Sequence, residues 1–264
     1  MTKTHFTLLA LAVQALFACP AFCSADTING FSTFTTNANT EAAAAGLPFI
    51  NGGLLQLTES NVHNIASSAF SNQTVDISNG FTAEFTLEFG APPASFHLDG
   101  IAFVLHSDPR GSSALGGGGG GKGWRGTGTD QITPALGLEF EPDSGLYRLR
   151  HSGGLLGRNY ANFGAFEAGG NNSTLVNITF NRAENTLTQT LTSAIGTRTY
   201  VNGDFNFSML SDTVYVGFSG GTGGGTNSGA ISNFSFNTTS VPEPAATFPL
   251  LLVLAASITK RSRN

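Results

Sequence analysis

Between Phe81 and Phe89 the chain alternates strictly. Phe81, Ala83, Phe85, Leu87 and Phe89 are interleaved with Thr82, Glu84, Thr86 and Glu88. A period of two puts every apolar side chain on one face of a strand and every polar one on the other. The segment predicts a half-buried strand with an aromatic inner face. Gly100 to His106 is a nearly continuous apolar run, as expected of a strand covered on both faces, and Ala135 to Phe140 is similar. Leu175–Phe180 and Thr186–Leu191 flank Asn181-Arg182-Ala183-Glu184-Asn185, which reads as a hairpin loop. Val214, Val216 and Phe218 alternate again, and Phe234 and Phe236 close the series. A dozen or so short strands separated by turn residues predict a sandwich or barrel. The one short helical candidate, Glu41 to Ala45, is stopped by Gly46 and Pro48.

Composition agrees with this and excludes a class of partner. Of 264 residues, 22 are Phe and 34 are Gly, while only 11% are charged, a profile that suits strands and turns. Away from the ends the chain carries about 8 basic and 16 acidic residues. It has no basic patch able to neutralise a run of phosphates, so nucleic acid is not expected as a partner.

Both ends read as targeting segments. Lys3, the apolar run Phe6–Phe17 and Cys23-Ser24-Ala25 make residues 1–25 a secretory signal cleaved after Ala25. The alternatives are a transmembrane anchor, for which the run is short, and a lipoprotein box at Leu16-Phe17-Ala18-Cys19, which Phe17 fits poorly. Cys19 and Cys23 are the only cysteines, and cleavage removes both, so the mature domain, residues 26–240, must be held by its core. Residues 241–264 read Val241-Pro242-Glu243-Pro244, an apolar stretch from Ala245 to Thr259, then Lys260, Arg261 and Arg263. The apolar stretch, about fifteen residues at 1.5 Å, falls short of a ~30 Å bilayer core. This three-part order resembles the PEP-CTERM sorting signal of Gram-negative exopolysaccharide producers. That resemblance implies export, transient membrane contact through the short helix, and release to the cell surface or matrix. The alternative is an ordinary tail anchor.

Several chemical motifs fail. Gly116 to Lys122 matches the start of a phosphate loop, but Gly123 stands where Ser or Thr would bind Mg²⁺, and no helix can follow. There is no Gly-x-Ser-x-Gly elbow and no His-Glu-x-x-His pair, and the five histidines are scattered. The informative stretch is His97 to His106, in which Asp99 directly precedes an apolar strand. A carboxylate there must be hydrogen-bonded or at the rim. It either accepts hydroxyl groups of a sugar or caps nearby backbone N–H groups in a turn.

Asp99-Gly100-Ile101-Ala102-Phe103, a Gly-rich loop, and then Leu138-Glu139-Phe140-Glu141 resemble the L-type (legume-type) lectin pattern. The likeness continues in order through Ala66–Phe70, Thr213–Gly223 and Ile231–Phe236, while Asp108-Pro109-Arg110-Gly111 and the glycine loop resemble the bacterial branch. The resemblance implies an all-β, two-sheet antiparallel sandwich, the concanavalin A-like jelly roll of lectins and glucanases. It implies a lectin rather than an enzyme, with carbohydrate as partner. Asp99 would accept sugar hydroxyls, and backbone N–H groups of Gly118, Gly119, Gly120 and Gly121 would donate, since glycine lets the ligand approach closely. Gly221, Thr222 and Gly223 would form another wall. Trp124 or Tyr147 would either pack on an apolar sugar face or belong to the core.

The family holds Ca²⁺ and a transition metal through Glu-x-Asp, then Asn, Asp and His. Here Glu139 fits, Glu141 replaces Asp, and Gly145 stands in place of Asn. Asp143 and His151 would substitute in part, beside Arg148 and Arg150. The expectations are a weak Ca²⁺ site on Glu139, Glu141, Asp143 and His151, or no metal and carboxylates paired with Arg148, Arg150 or His151. Two rivals remain. Glu139-Phe140-Glu141-Pro142-Asp143 faintly resembles the acid triplet of retaining endoglucanases, although Pro142 suits a strand interior poorly. The other rival is a structural matrix protein that kept the scaffold and lost the sugar.

Overall fold

The structure is a computed structural model, which describes residues 25–90, 99–126, 128–142, 146–152, 154–160, 172–203 and 207–240. Both targeting segments, apart from Ala25, lie outside these residues, as do Asp143 and Gly145. Ala25–Thr239 form one compact unit of two antiparallel sheets. One sheet runs, in spatial order, β14 (Gly196–Asn202), β13 (Thr186–Ser193), β12 (Asn172–Asn181), β7 (Gly80–Phe89), β16 (Gly229–Thr238), β4 (Leu54–Thr58) and β3 (Phe49–Asn51), with β1 (Thr27–Asn29) also paired to β16. The other runs β11 (Gly154–Tyr160), β10 (Leu146–His151), β9 (Ala135–Glu141), β8 (Gly100–His106), β15 (Thr213–Gly221), β5 (Ala66–Ser71) and β2 (Phe34–Ala38), with β6 (Val75–Asp76) beside β15. The predicted sandwich is therefore present. A short helix α1 (Thr40–Ala44) is capped by the Asn39 side chain, which accepts from the Ala42 N–H.

The alternation in β7 does what the pattern requires. Phe81, Ala83, Phe85, Leu87 and Phe89 are all buried, while Thr82 and Glu84 are exposed. Their partners across the sandwich are the inward residues of β8, β9 and β15. Phe85 stacks on Phe103 with ring centroids 5.5 Å apart and meets Phe218 edge-on at 5.0 Å. Offset and edge-to-face pairs of this kind favour one packing beyond the area they bury.

The second sheet is covered on its outer face too. Ala102, Val104, Ala135 and Phe70 turn away from the main core and pack beneath Trp124, Ala114 and Ile132 of the segment joining β8 to β9. This explains why β8 is buried along its whole length. It also settles the two aromatic candidates: Trp124 and Tyr147 are both fully buried. Trp124 packs on Gly137, where a Cβ would come within 2.5 Å of its ring. Neither ring is available to a sugar, because each is consumed by packing.

Candidate functional site

The segment between β8 and β9 carries the glycine run, and an ion pair between a buried carboxylate and a surface arginine shapes it. Arg110 grips Asp108 with both Nε (2.8 Å) and Nη2 (2.9 Å), and its guanidinium also donates to the carbonyls of Leu115 and Gln131. The Thr133 N–H donates to the same carboxylate at 2.8 Å. Burial alone would raise the Asp108 pKa, but the donors from Arg110 and the backbone outweigh it and hold the carboxyl at about 2. One arginine thus ties together the start, middle and end of the segment.

Asp99 stands at the mouth of β8. Gly100, which follows it, has φ +103°, and a Cβ there would lie 1.9 Å from the Phe140 carbonyl. Only glycine permits β8 to enter the sheet at this point, and this fixes Asp99 at the rim. The carboxylate meets the glycine run directly. A Cβ built on Gly119 would lie 3.7 Å from Oδ2, on Gly120 3.7 Å from Oδ1, and on Gly223 2.9 Å from Oδ2. Asp99, Gly119–Gly120 and Gly223 are therefore neighbours, although they come from three separate stretches of chain.

Not every predicted contact is available to a ligand. The Gly119 N–H donates to the Thr222 carbonyl at 3.1 Å and the Gly121 N–H to Gly118 at 3.0 Å. The N–H groups of Gly118 and Gly120 make no hydrogen bond among the described residues, and both residues are exposed. The expected four-donor cradle is thus two donors wide. Thr222 is also corrected. Its hydroxyl donates to the Val62 carbonyl (2.8 Å) and accepts from the Ile65 N–H (3.1 Å), so its side chain is a buried strut. Gly221 is buried against Gly119 and Lys122. Only Gly223 of that trio adjoins Asp99.

The carboxylates assigned to metal face the same loop and are already partnered. Glu139 is fully buried, with Arg125 Nε at 2.5 Å, Arg150 Nε at 3.0 Å and Lys122 Nζ at 3.6 Å. Glu141 receives Lys122 Nζ at 2.8 Å and Arg148 Nη1 at 2.5 Å. The arginines reach diagonally: the strand register sets Arg148 opposite Glu139 and Arg150 opposite Gly137, and each forms an ion pair with the acid two residues further along. Burial lowers the Arg150 pKa, against the raising influence of Glu139. Four cations on two carboxylates are a poor fit for a divalent ion, which needs oxygen ligands free to turn toward it. Among the described residues, no three His, Cys, Asp or Glu side chains gather as a metal-binding group. His151 is half-buried, and Asp143 lies outside the described residues. A carboxylate sealed as Glu139 is cannot flank a cleft as glycoside hydrolysis requires.

Arg148 and Arg150 were legible as neighbours of these acids. Lys122 and Arg125 were not, and the one available signal was that they are the charged residues nearest the glycine run.

No family model matches the chain, and no curated protein matches its sequence. Solved structures do match. The chain is similar to the basic winged bean lectin in complex with Tn-antigen (TM-score 0.67, 18% identity, covering 83% of this chain and 100% of that one). It is similar to the lectin from Bauhinia forficata in complex with GalNAc (TM-score 0.66, 16% identity, 83% and 100%). Arcelin-5, a lectin-like defense protein from Phaseolus vulgaris, matches with TM-score 0.64 at 18% identity over 83% and 99%. The fold is the legume-lectin sandwich.

Proposed function

We propose that this chain is an exported carbohydrate-binding protein that holds a glycan at the rim of the sandwich, between Asp99, the Gly118–Gly121 loop and Gly223. The observation that carries the reading is the meeting of one carboxylate with Gly119, the exposed Gly120 and Gly223. A sugar hydroxyl both donates and accepts, so an acceptor set beside N–H donors is the complement of a pair of adjacent hydroxyls. Glycine keeps the approach open. The winged bean and Bauhinia lectins, which share the fold, are complexed with a glycan antigen and an amino sugar. The signal-like start and the Pro-Glu-Pro, apolar, basic end support export with transient membrane contact before release at the cell surface.

A glycan array probed with the full chain and with Asp99→Ala tests this. Weak binding to a defined set of glycans, lost in the variant, is expected. Binding that survives the substitution would place the site elsewhere.

A second reading has one observation in its favour. Glu139 and Glu141 are spent on ion pairs, as they would be in a matrix protein that kept the scaffold for structure alone. A blank array from demonstrably folded protein would support it.

A further inference from the structure

Lys122 is an anomaly that the proposed site does not explain. It interrupts an otherwise unbroken run from Gly116 to Gly123. Its backbone sits in the left-handed region, at φ 53° and ψ 32°. Glycine adopts that conformation freely, whereas a residue with a Cβ gives up about 1 kcal/mol or more. Its side chain is only 2% exposed, and burying an ammonium is costlier still unless it is well paired. Gly119 and Gly123 of the same run are also left-handed and are glycine, whereas at 122 the chain places a buried lysine. The side chain must therefore return that cost.

Its surroundings show how. Nζ stands between the two acids of β9, at 2.8 Å from Glu141 Oε1 and 3.6 Å from Glu139 Oε2. Lys122 is the residue on which the tight turn at Gly119–Gly121 ends, and its N–H donates to the Gly119 carbonyl at 2.8 Å. Arg125 repeats the link, giving Nε to Glu139 and Nη2 to the Gly120 carbonyl. Gly119 and Gly120 are the residues that lie on Asp99. An unbroken path of ion pairs and hydrogen bonds runs from the β9 carboxylates to the loop over the candidate carboxylate.

We propose that the Lys122 ammonium, with the Arg125 guanidinium, takes the place of a divalent cation in this chain. It fixes the glycine loop to β9 from within, so that the loop is set over Asp99 without Ca²⁺ or a transition metal. Lys122 is a positioning residue: it touches no ligand and acts through the loop. The proposal deepens the sugar-binding reading in its consequence for affinity, but its claim about metal stands apart from that reading.

The test therefore has one arm for each. The full chain, refolded or purified without added metal, is melted with EDTA and with excess CaCl₂ or MnCl₂, and its metal content is measured. An unchanged Tm and sub-stoichiometric metal are expected. A Tm that rises with Ca²⁺ or Mn²⁺, or retention of an ion at one per chain, would overturn the proposal whether or not any sugar binds. In the second arm a glycan selected on the array is titrated with EDTA present, and again into Lys122→Met. Affinity indifferent to EDTA is expected, with about tenfold weaker binding in the variant that added Ca²⁺ does not restore. Loss of binding in EDTA, or unchanged affinity in folded Lys122→Met, would overturn it. If Lys122→Met fails to fold, both EDTA measurements on the parent chain still decide. Absence of glycan binding under every condition would refute the sugar reading and leave the first arm intact.

Discussion

Asp99 and Gly223 are so close that a single added methyl on the glycine would lie 2.9 Å from the carboxylate Oδ2. Gly223 has no left-handed φ, so an alanine there is not strained in its backbone. Gly223→Ala should therefore fold with less than about 1 kcal/mol of lost stability and push the Asp99 carboxylate aside. Glycan affinity should fall about tenfold, measured by titration. Gly224→Ala is the control: nothing lies within 4 Å of its Cβ, and its affinity should match the parent.

The Asp108–Arg110 clamp should matter for stability in proportion to its burial. Asp108 is 4% exposed and accepts four hydrogen bonds from two residues, from the Arg110 N–H, Nε and Nη2 and from the Thr133 N–H. Asp108→Ala leaves the Thr133 N–H and the Arg110 backbone N–H without their acceptor, while the guanidinium keeps the Leu115 and Gln131 carbonyls, and about 3 kcal/mol of destabilisation is expected. For a domain of this size that corresponds to a fall in Tm of roughly 6–12 °C in a thermal melt.

His106 makes the fold acid-sensitive. Its ring is buried, 4.3 Å from Phe70 edge-on and stacked on Tyr215, and Nδ1 accepts the Asp108 N–H at 3.2 Å. Burial lowers its pKa from 6.5 to about 4, with Asp108 opposing the shift and Arg110 adding to it. The unfolded chain thus binds a proton that the folded chain refuses across that window, so stability must fall as pH drops from 6.5 to 4. The loss is on the order of 3 kcal/mol. Asp108, with its pKa held at about 2, adds a second loss below about pH 4 as its paired carboxylate protonates. Tm measured from pH 7 to pH 4 should decline steeply in the parent and distinctly less in His106→Gln.

The single tryptophan offers a readout of the core rather than of the ligand. Trp124 is sealed among Phe70, Ala102, Val104, Ala114, Ile132 and Ala135. Its emission should be blue-shifted, resist iodide quenching and stay constant as glycan is added. A saturable change with sugar would put the ring at the site after all. Trp124→Ala should cost about 3–5 kcal/mol.

Most of the sandwich was legible because its signal is local. Phe81 to Phe89 alternates within nine residues, and a two-residue period needs no partner to be recognised. The apolar run of β8 was legible as doubly covered, although not what covered it. The meeting of Asp99 with the glycine loop was carried by the order of motifs, not by either residue's chemistry. What escaped lies in register and side-chain direction. Nothing in Glu139-Phe140-Glu141 says that Arg148 and Arg150 reach diagonally across a strand pair. Nor does a run of glycines say that Lys122 turns inward beneath it. Trp124 was left open, and Thr222 was placed at the sugar wall, for the same reason: a large ring or a hydroxyl at a loop suits either a ligand or a strut, and only the fold chooses.

The central claim is that Asp99 receives sugar hydroxyls beneath the glycine loop. Its most direct test is calorimetric titration of an array-selected glycan into the parent chain and into Asp99→Asn, which keeps the side chain's shape but replaces an acceptor oxygen with an N–H donor. Affinity at least about tenfold weaker in the variant, with Tm unchanged, is the predicted result. Equal affinity in two equally folded proteins would contradict it.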